Sequence, residues 1–151
     1  MNIGDPIPVV NLTGADERPV ALKNAGLPLV VYFYPKADTA GCTREAEEFS
    51  ASLADFAGAG VTVIGVSKDS PAKLAKFAAK YGLTVPLASD DGTACAAFGT
   101  WGEKTLYGRK YMGIERATFL FGRDGTLVQE WRKVKVPGHV AAVLAAALAL
   151  A

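Results

Sequence analysis

Tyr34-Pro35-Lys36-Ala37-Asp38-Thr39-Ala40-Gly41-Cys42-Thr43-Arg44-Glu45 joins an unbroken apolar run, Leu29 to Phe33, to a segment of helical spacing. A run without polar alternation suits a strand buried on both faces of a sheet. Pro35 stops that strand, and Asp38 or Thr39 can cap the helix that follows. Cys42, Ala46, Phe49, Leu53 and Phe56 then recur at steps of four and three, which predicts one helix running to about Ala57. Gly58-Ala59-Gly60 closes it, and Val61 to Ser67 reads as a second buried strand. Strand, helix and strand in that order form a parallel βαβ unit.

Outward from this unit, residues 1–28 read as irregular with one short hairpin. Val9, Val10 and Leu12 precede a Gly14-Ala15-Asp16 turn, and Val20 and Leu22 follow it. On the other side, Ser70-Pro71 caps and opens a helix whose inner face is Leu74, Phe77, Ala78 and Tyr81, ended by Gly82. Leu83 to Ala88 is a short extended piece interrupted by Pro86. Ser89-Asp90-Asp91-Gly92 then leads into a short helix, Thr93 to Phe98, carrying Cys95. The stretch from Gly99 to Gly113 is rich in glycine and aromatic residues and reads as a loop with some extended pairing. Ala117–Phe121 and Leu127–Trp131 flank Gly122-Arg123-Asp124-Gly125-Thr126, an antiparallel hairpin, and a last helix runs from about His139 to Leu150. Parallel and antiparallel pairs would share one central mixed sheet with helices on both faces, the layout of a thioredoxin-like α/β fold. No linker, repeat or charge block divides the chain, so residues 1–151 are expected to form a single domain.

Half of the 151 residues are apolar and 21% are charged, a globular and not a disordered composition. Sixteen basic residues against fifteen acidic ones give no electrostatic footprint for nucleic acid or an anionic membrane. A lone histidine, His139, excludes most zinc arrangements, and two cysteines cannot build a disulfide framework. Nothing calls for a cofactor. The N-terminus lacks a signal-peptide layout, and the longest apolar run, Val140 to Ala151, is too short to span a bilayer. The expected compartment is a reducing cytoplasm, where thiols stay free.

Cys42 falls in the first turn of its helix, where unpaired N–H groups and the positive end of the dipole favour an anion. It also heads the apolar stripe, which predicts a recessed thiol near the helix end. The competing reading is a small buried core cysteine.

Pro35, Thr39 and Cys42 reproduce the P-x-x-x-T-x-x-C signature of the peroxiredoxins, and Tyr32 to Thr43 resembles the bacterioferritin comigratory protein, or peroxiredoxin Q, branch. Gly113-Ile114-Glu115-Arg116-Ala117-Thr118-Phe119 is similar to the segment that holds that family's active-site arginine. The likeness covers nearly the whole chain. It implies a thiol peroxidase that reduces hydrogen peroxide or organic hydroperoxides through a cysteine sulfenic acid, recycled by thioredoxin, glutaredoxin or a small thiol. It also implies a monomer or weak dimer. Other readings of the fold are a disulfide oxidoreductase, disfavoured by the lack of any C-x-x-C, and a non-enzymatic binding or chaperone module.

A thiol acidified from about 8.5 to about 6 gains about thirtyfold in thiolate at neutral pH. It gives back about tenfold in nucleophilicity. Acceleration must therefore come from donors that hold the peroxide in line and stabilise the departing oxyanion. Arg116 can supply a cationic fork, with the Thr39 hydroxyl and the Cys42 N–H as further hydrogen bonds. Pro35 would shield the sulfur, as the resemblance implies, and Glu45, one turn on, is placed to hold Arg116. Each has a plainer alternative: a solvated charge for Arg116, a helix cap for Thr39, a first-turn acid for Glu45. Lys36 and Arg44 read as surface charges, Tyr34 as a core or pocket wall, His139 as the start of the last helix, and Trp101 and Trp131 as packing groups.

The chain departs from the family pattern in two places. Ala40 stands where many members have proline, which loosens the first turn. The common resolving cysteine lies five positions after the peroxidatic one, where this chain has Glu47, and the helix from Ser70 to Tyr81 has no cysteine either. Cys95 is then the one candidate resolving residue. A Cys42–Cys95 bond needs Cα atoms within about 7 Å; otherwise an external thiol must complete a one-cysteine cycle.

Overall fold

The computed structural model describes residues 1–150; Ala151, which ends the apolar run and the 1–151 span, lies outside them. In chain order the elements are β1 (Leu12–Gly14), β2 (Pro19–Val20), β3 (Leu29–Phe33), α1 (Ala40–Ala51), α2 (Leu53–Gly58), β4 (Thr62–Ser67) and α3 (Pro71–Tyr81). They continue with β5 (Leu87–Asp90), α4 (Thr93–Phe98), β6 (Trp101–Leu106), β7 (Arg109–Ile114), β8 (Ala117–Phe121), β9 (Leu127–Trp131) and α5 (His139–Leu148). Seven strands form one sheet in the order β2-β1-β5-β4-β3-β8-β9.

The fully buried β3 lies inside that sheet. It runs parallel to β4, from Leu29↔Thr62 to Phe33↔Val66, as a βαβ unit requires. It runs antiparallel to β8, from Leu29↔Phe121 to Phe33↔Ala117. The antiparallel register sets the end of β3 beside the start of β8, so the chain leaving β3 passes the residue that precedes Ala117.

Alternation along β3 feeds two cores. Val30 and Tyr32 pack with Cys42, Phe49, Phe56, Leu74, Phe77 and Val143, the layer of α1, α2, α3 and α5. Leu29, Val31 and Phe33 pack on the other face with Leu22, Ala94, Cys95, Phe98 and Ile114. Burying one such side chain stabilises the fold by about 1.5–3 kcal/mol. Gly65 on β4 is required by this packing: a Cβ there would lie 2.5 Å from Cζ of the Tyr32 ring.

Three expectations are corrected. The helix after Cys42 breaks at Ser52 (φ −95°, ψ 1°) into α1 and α2. Beside the break, the Ser50 hydroxyl accepts the Thr84 and Val85 amides at 3.1 Å, tying the end of α1 to the approach to β5. Phe49 and Phe56 are nonetheless both buried, while Leu53 is half-buried. The extended piece lies later than Leu83–Ala88: Leu87 to Asp90 forms β5, which pairs with β4 and β1. Asp90, the last residue of β5, accepts the Ala94 and Cys95 amides of α4 at 2.9 Å.

The third correction concerns Gly99 to Gly113, which holds a regular hairpin, β6 paired to β7 from Trp101↔Ile114 to Leu106↔Arg109. Its turn is Tyr107-Gly108, with φ of 51° and 76°. Both central residues at positive φ make a turn whose twist matches paired strands. The hairpin presents Leu106, Tyr107, Tyr111 and Met112 to solvent, and Trp101 is 42% exposed and so not a core residue. Trp131 packs against the helical core. Among the described residues no helix is long and apolar enough to cross a membrane.

Candidate active site

The loop from Tyr34 to Thr39 is held from three sides. Tyr34 N–H donates to Val66 O at 3.1 Å, continuing the β3–β4 ladder by one bond. The Ala37 amide donates to Asp69 Oδ2 at 2.8 Å, and that oxygen also accepts the Ser67 hydroxyl at 2.9 Å. Asp38, at φ 61°, turns its carboxylate to Lys80 Nζ at 2.9 Å and to the Tyr81 hydroxyl on α3. Neither Asp38 nor Thr39 caps α1 by its side chain: Thr39 occupies the capping position, but its hydroxyl donates to Lys36 O at 2.8 Å. The first-turn amides of α1 are therefore left without a side-chain acceptor, a ready site for an anionic oxygen.

Cys42 stands in that first turn with its sulfur facing the core, only 1% exposed. Arg116, immediately before β8, reaches it across the β3–β8 junction: Nη2 donates to Cys42 Sγ at 3.3 Å. Nη1 of the same guanidinium donates to Glu45 Oε1 at 2.7 Å. The α-helical step of three places Cys42 and Glu45 on one face, so a single fork bridges both. Gly41 makes this approach feasible, since a Cβ there would stand 3.2 Å from Arg116 Nη2. Sequence reasoning assigned Gly41 no role, although a glycine inside a helical turn without a cap to form was the available signal.

Burial pushes the Glu45 carboxyl up to about 7, against the pull of Arg116. For Arg116, burial disfavours the charge, but Glu45 and Cys42 outweigh it and hold the guanidinium above its ordinary value. The two partners differ because Glu45 is fully enclosed with Oε2 unpartnered, whereas Arg116 faces two acceptors and is partly open. Tyr32 and Tyr34 lie in the same core layer, and their hydroxyls have no partner among the described residues. Burial raises both phenols far above their ordinary value, with Tyr34 and Glu45 adding to the effect on Tyr32.

Pro35 borders a groove of about 420 Å³ that Lys36, Lys68, Lys104, Met112 and Ile114 also line. Cys95 is elsewhere. It belongs to the core layer on the opposite face of the sheet from Cys42. Burial, then the Asp90 carboxylate, push its thiol up to about 12. Both cysteines are free. His139 begins α5 and is also buried, its Nε2 2.7 Å from the Thr118 hydroxyl and its ring edge-on to Phe49 and Trp131. No group of three or more His, Cys, Asp or Glu among the described residues could hold a metal ion.

Residues 3–130 match the model of the AhpC/TSA family. The chain belongs to the AhpC/TSA family. Within it, peroxiredoxin Bcp of Xanthomonas campestris is 52% identical over 124 residues, covering 82% of this chain and 78% of that protein. A solved structure of Xanthomonas campestris peroxiredoxin Q has a TM-score of 0.87 at 47% identity, over 93% of this chain and 90% of that one. Structures of the Xanthomonas campestris bacterioferritin comigratory protein, obtained to examine its alkyl peroxide reduction, have a TM-score of 0.87 at 44% identity, over 96% and 98%. This peroxiredoxin is of the bacterioferritin comigratory, or peroxiredoxin Q, branch, and it is a thiol peroxidase on a thioredoxin-like fold.

Proposed function

We propose that Cys42 is the peroxide-reacting nucleophile and that the cycle uses this one cysteine. The thiolate attacks the terminal oxygen of a hydroperoxide, forming the S–O bond of a sulfenic acid as the O–O bond breaks and the distal oxygen leaves with the electron pair. The observation that carries this reading is the 3.3 Å contact from Arg116 Nη2 to Cys42 Sγ. A guanidinium there steadies the attacking anion and stays within reach of the charge that moves to the peroxide oxygens. The first-turn amides supply neutral donors. Thr39, its proton given to Lys36 O, offers a lone pair to the peroxide O–H. Pro35 keeps bulk water from the sulfur, and Glu45 positions Arg116.

An external thiol then attacks the sulfenic acid, releasing water and forming a mixed disulfide. A second thiol returns Cys42 to the reduced state. Thioredoxin, glutaredoxin and small thiols all have the required chemistry. Their approach requires local opening of the first turn of α1, a low-cost motion at a helix end. Cys95 is given no part because its layer is separated from Cys42 by the sheet. The setting is a reducing cytoplasm, and the working form a monomer or weak dimer built on one domain. The test is peroxide consumption by the purified protein with a thiol donor. Cys42→Ser is expected to abolish turnover, and wild-type turnover by that variant would sink the assignment.

A further inference from the structure

Lys104 differs from the other lysines. On β6 its neighbours Glu103 and Thr105 are exposed, whereas Lys104 is half-buried. Its backbone pairs with Tyr111, yet its stem lies across Gly113: a Cβ built there would stand 3.2 Å from Lys104 Cδ and 3.8 Å from Cε. The side chain thus leans along β7 past Gly113, towards the Ile114 end of the groove. Gly102 opposite Gly113 keeps this face of the hairpin clear. The stem forms a wall shared by the 420 Å³ groove at Pro35 and a second recess of about 240 Å³ at Glu115.

No carboxylate pairs with this ammonium; Glu103, which also lines the smaller recess, lies 3.8 Å from Lys110 Nζ. Among the described residues Lys104 makes no ion pair. Glu115, in the smaller recess, is taken by Arg132 at 2.9 and 3.0 Å and by the Lys133 amide at 2.8 Å. Asp69, in the larger one, is taken by Ala37 N–H and the Ser67 hydroxyl. Lys68 is turned aside over the Trp101 ring, 4.2 Å from its centroid. Burial, and then the Arg116 charge, lower the Lys104 pKa, while Cys42 and Glu115 pull the other way. Lys36, Lys68 and Lys133 line the same two recesses and add further positive charge.

We propose that Lys104 is a catalytic residue of this peroxidase, the general acid that protonates the departing oxygen of the peroxide in the groove between Pro35 and the β6–β7 hairpin. The inference rests on Cys42 and Arg116 acting as set out above. In the step, the Cys42 thiolate forms the S–O bond, the O–O bond breaks, and the leaving oxygen takes its electron pair. A proton passes from the Lys104 ammonium to that oxygen, giving water from hydrogen peroxide or an alcohol from an alkyl hydroperoxide. The neutral amine regains its proton from solvent. A lysine made more acidic than usual suits this task better than a guanidinium, which holds its proton at any working pH. The roles then divide: Arg116 holds charge and Lys104 moves a proton.

The test compares two small peroxides that are both uncharged at pH 6.5 and differ in leaving group. Hydrogen peroxide expels hydroxide, a strong base that needs a proton. Peracetic acid expels acetate, which does not. Stopped-flow rates of Cys42 oxidation are measured for wild type, Lys104→Met and Lys104→Arg. Both variants are expected to lose about 10²-fold with hydrogen peroxide, within the range of general acid catalysis, and to stay within about threefold with peracetic acid. The peracetic acid rate also reports that each variant is folded. Equal losses with both peroxides, no loss with hydrogen peroxide, or a rate restored by Lys104→Arg would overturn the proposal. Cys42→Ser, run alongside, separates the two readings: if its mass gains oxygen at the wild-type rate, the underlying site assignment is what has failed.

Discussion

Replacing Arg116 by methionine keeps an apolar stem in the junction and removes the ion-pair partner of a wholly buried carboxyl. Glu45 is 0% exposed, its Oε1 is 2.7 Å from Arg116 Nη1, and its other oxygen has no partner among the described residues. With Arg116 in place, burial carries its pKa from 4.5 to about 7. The folded state therefore holds this proton more tightly than the unfolded chain does. Its contribution to stability is full below 4.5 and declines as pH rises to about 7, a total of about 3 kcal/mol. Above that the carboxyl is ionised in both states and the curve levels off. Without the guanidinium, Glu45 stays protonated in the folded state above pH 7. The decline then continues at about 1.4 kcal/mol per pH unit.

Breaking a buried ion pair commonly costs about 3–5 kcal/mol, but here a proton limits the loss near neutrality. The two proteins should differ through this carboxyl by less than about 1 kcal/mol at pH 7 and by about 3 kcal/mol at pH 9. The assay is urea denaturation of reduced protein from pH 7 to 9, with both proteins in a Cys42→Ser background so that the nearby thiol is removed. Parallel stability curves above pH 7 would refute the reasoning, because they would mean that Arg116 does not hold the Glu45 charge. In the Cys42 background, Arg116→Met is expected to slow sulfur oxidation by about 10²- to 10³-fold, the usual loss for one oxyanion donor.

His139 opposes Glu45 at lower pH. Burial, and then the Arg116 charge, push its pKa from 6.5 down to about 4. The unfolded chain takes up that proton first, so stability is lost as pH falls from 6.5 towards 4, by about 3 kcal/mol in all. His139→Gln should therefore gain thermal stability relative to wild type between pH 6.5 and 4.5, read as the difference in Tm. Gly41→Ala should slow oxidation by about tenfold, as its Cβ, 3.2 Å from Arg116 Nη2, displaces the guanidinium by a few tenths of an ångström. Cys95→Ala is expected to keep wild-type turnover, and intact mass after one equivalent of peroxide should show the gain of one oxygen in both proteins. Loss of two hydrogens in the wild type alone would mean an internal disulfide.

The elements whose signals are local were legible in the chain. Val30 to Phe33 and Val63 to Val66 announce buried strands by unbroken apolarity, and Gly122 to Thr126 announces its hairpin by a turn in which Asp124 accepts the Thr126 amide and hydroxyl. Pro35, Thr39 and Cys42 locate a thiol at a helix start by spacing alone. The β6–β7 hairpin was legible only as some extended pairing within a loop, because Tyr107-Gly108, at positive φ in both residues, is not a strong turn pair. The break at Ser52 escaped because the bonds beside it run from Ser50 to residues far along the chain.

Family likeness drew attention to Arg116, but its contact with Cys42 follows from register. The antiparallel pairing of Phe33 with Ala117 brings two points 74 residues apart to one corner of the sheet. The same sheet separates Cys95 from Cys42, which no spacing along the chain foretells. Helix and strand periods are properties of neighbouring residues and can be read from order alone. Which face a side chain occupies, and what meets it there, is decided only when strands choose partners and a shared core closes over them.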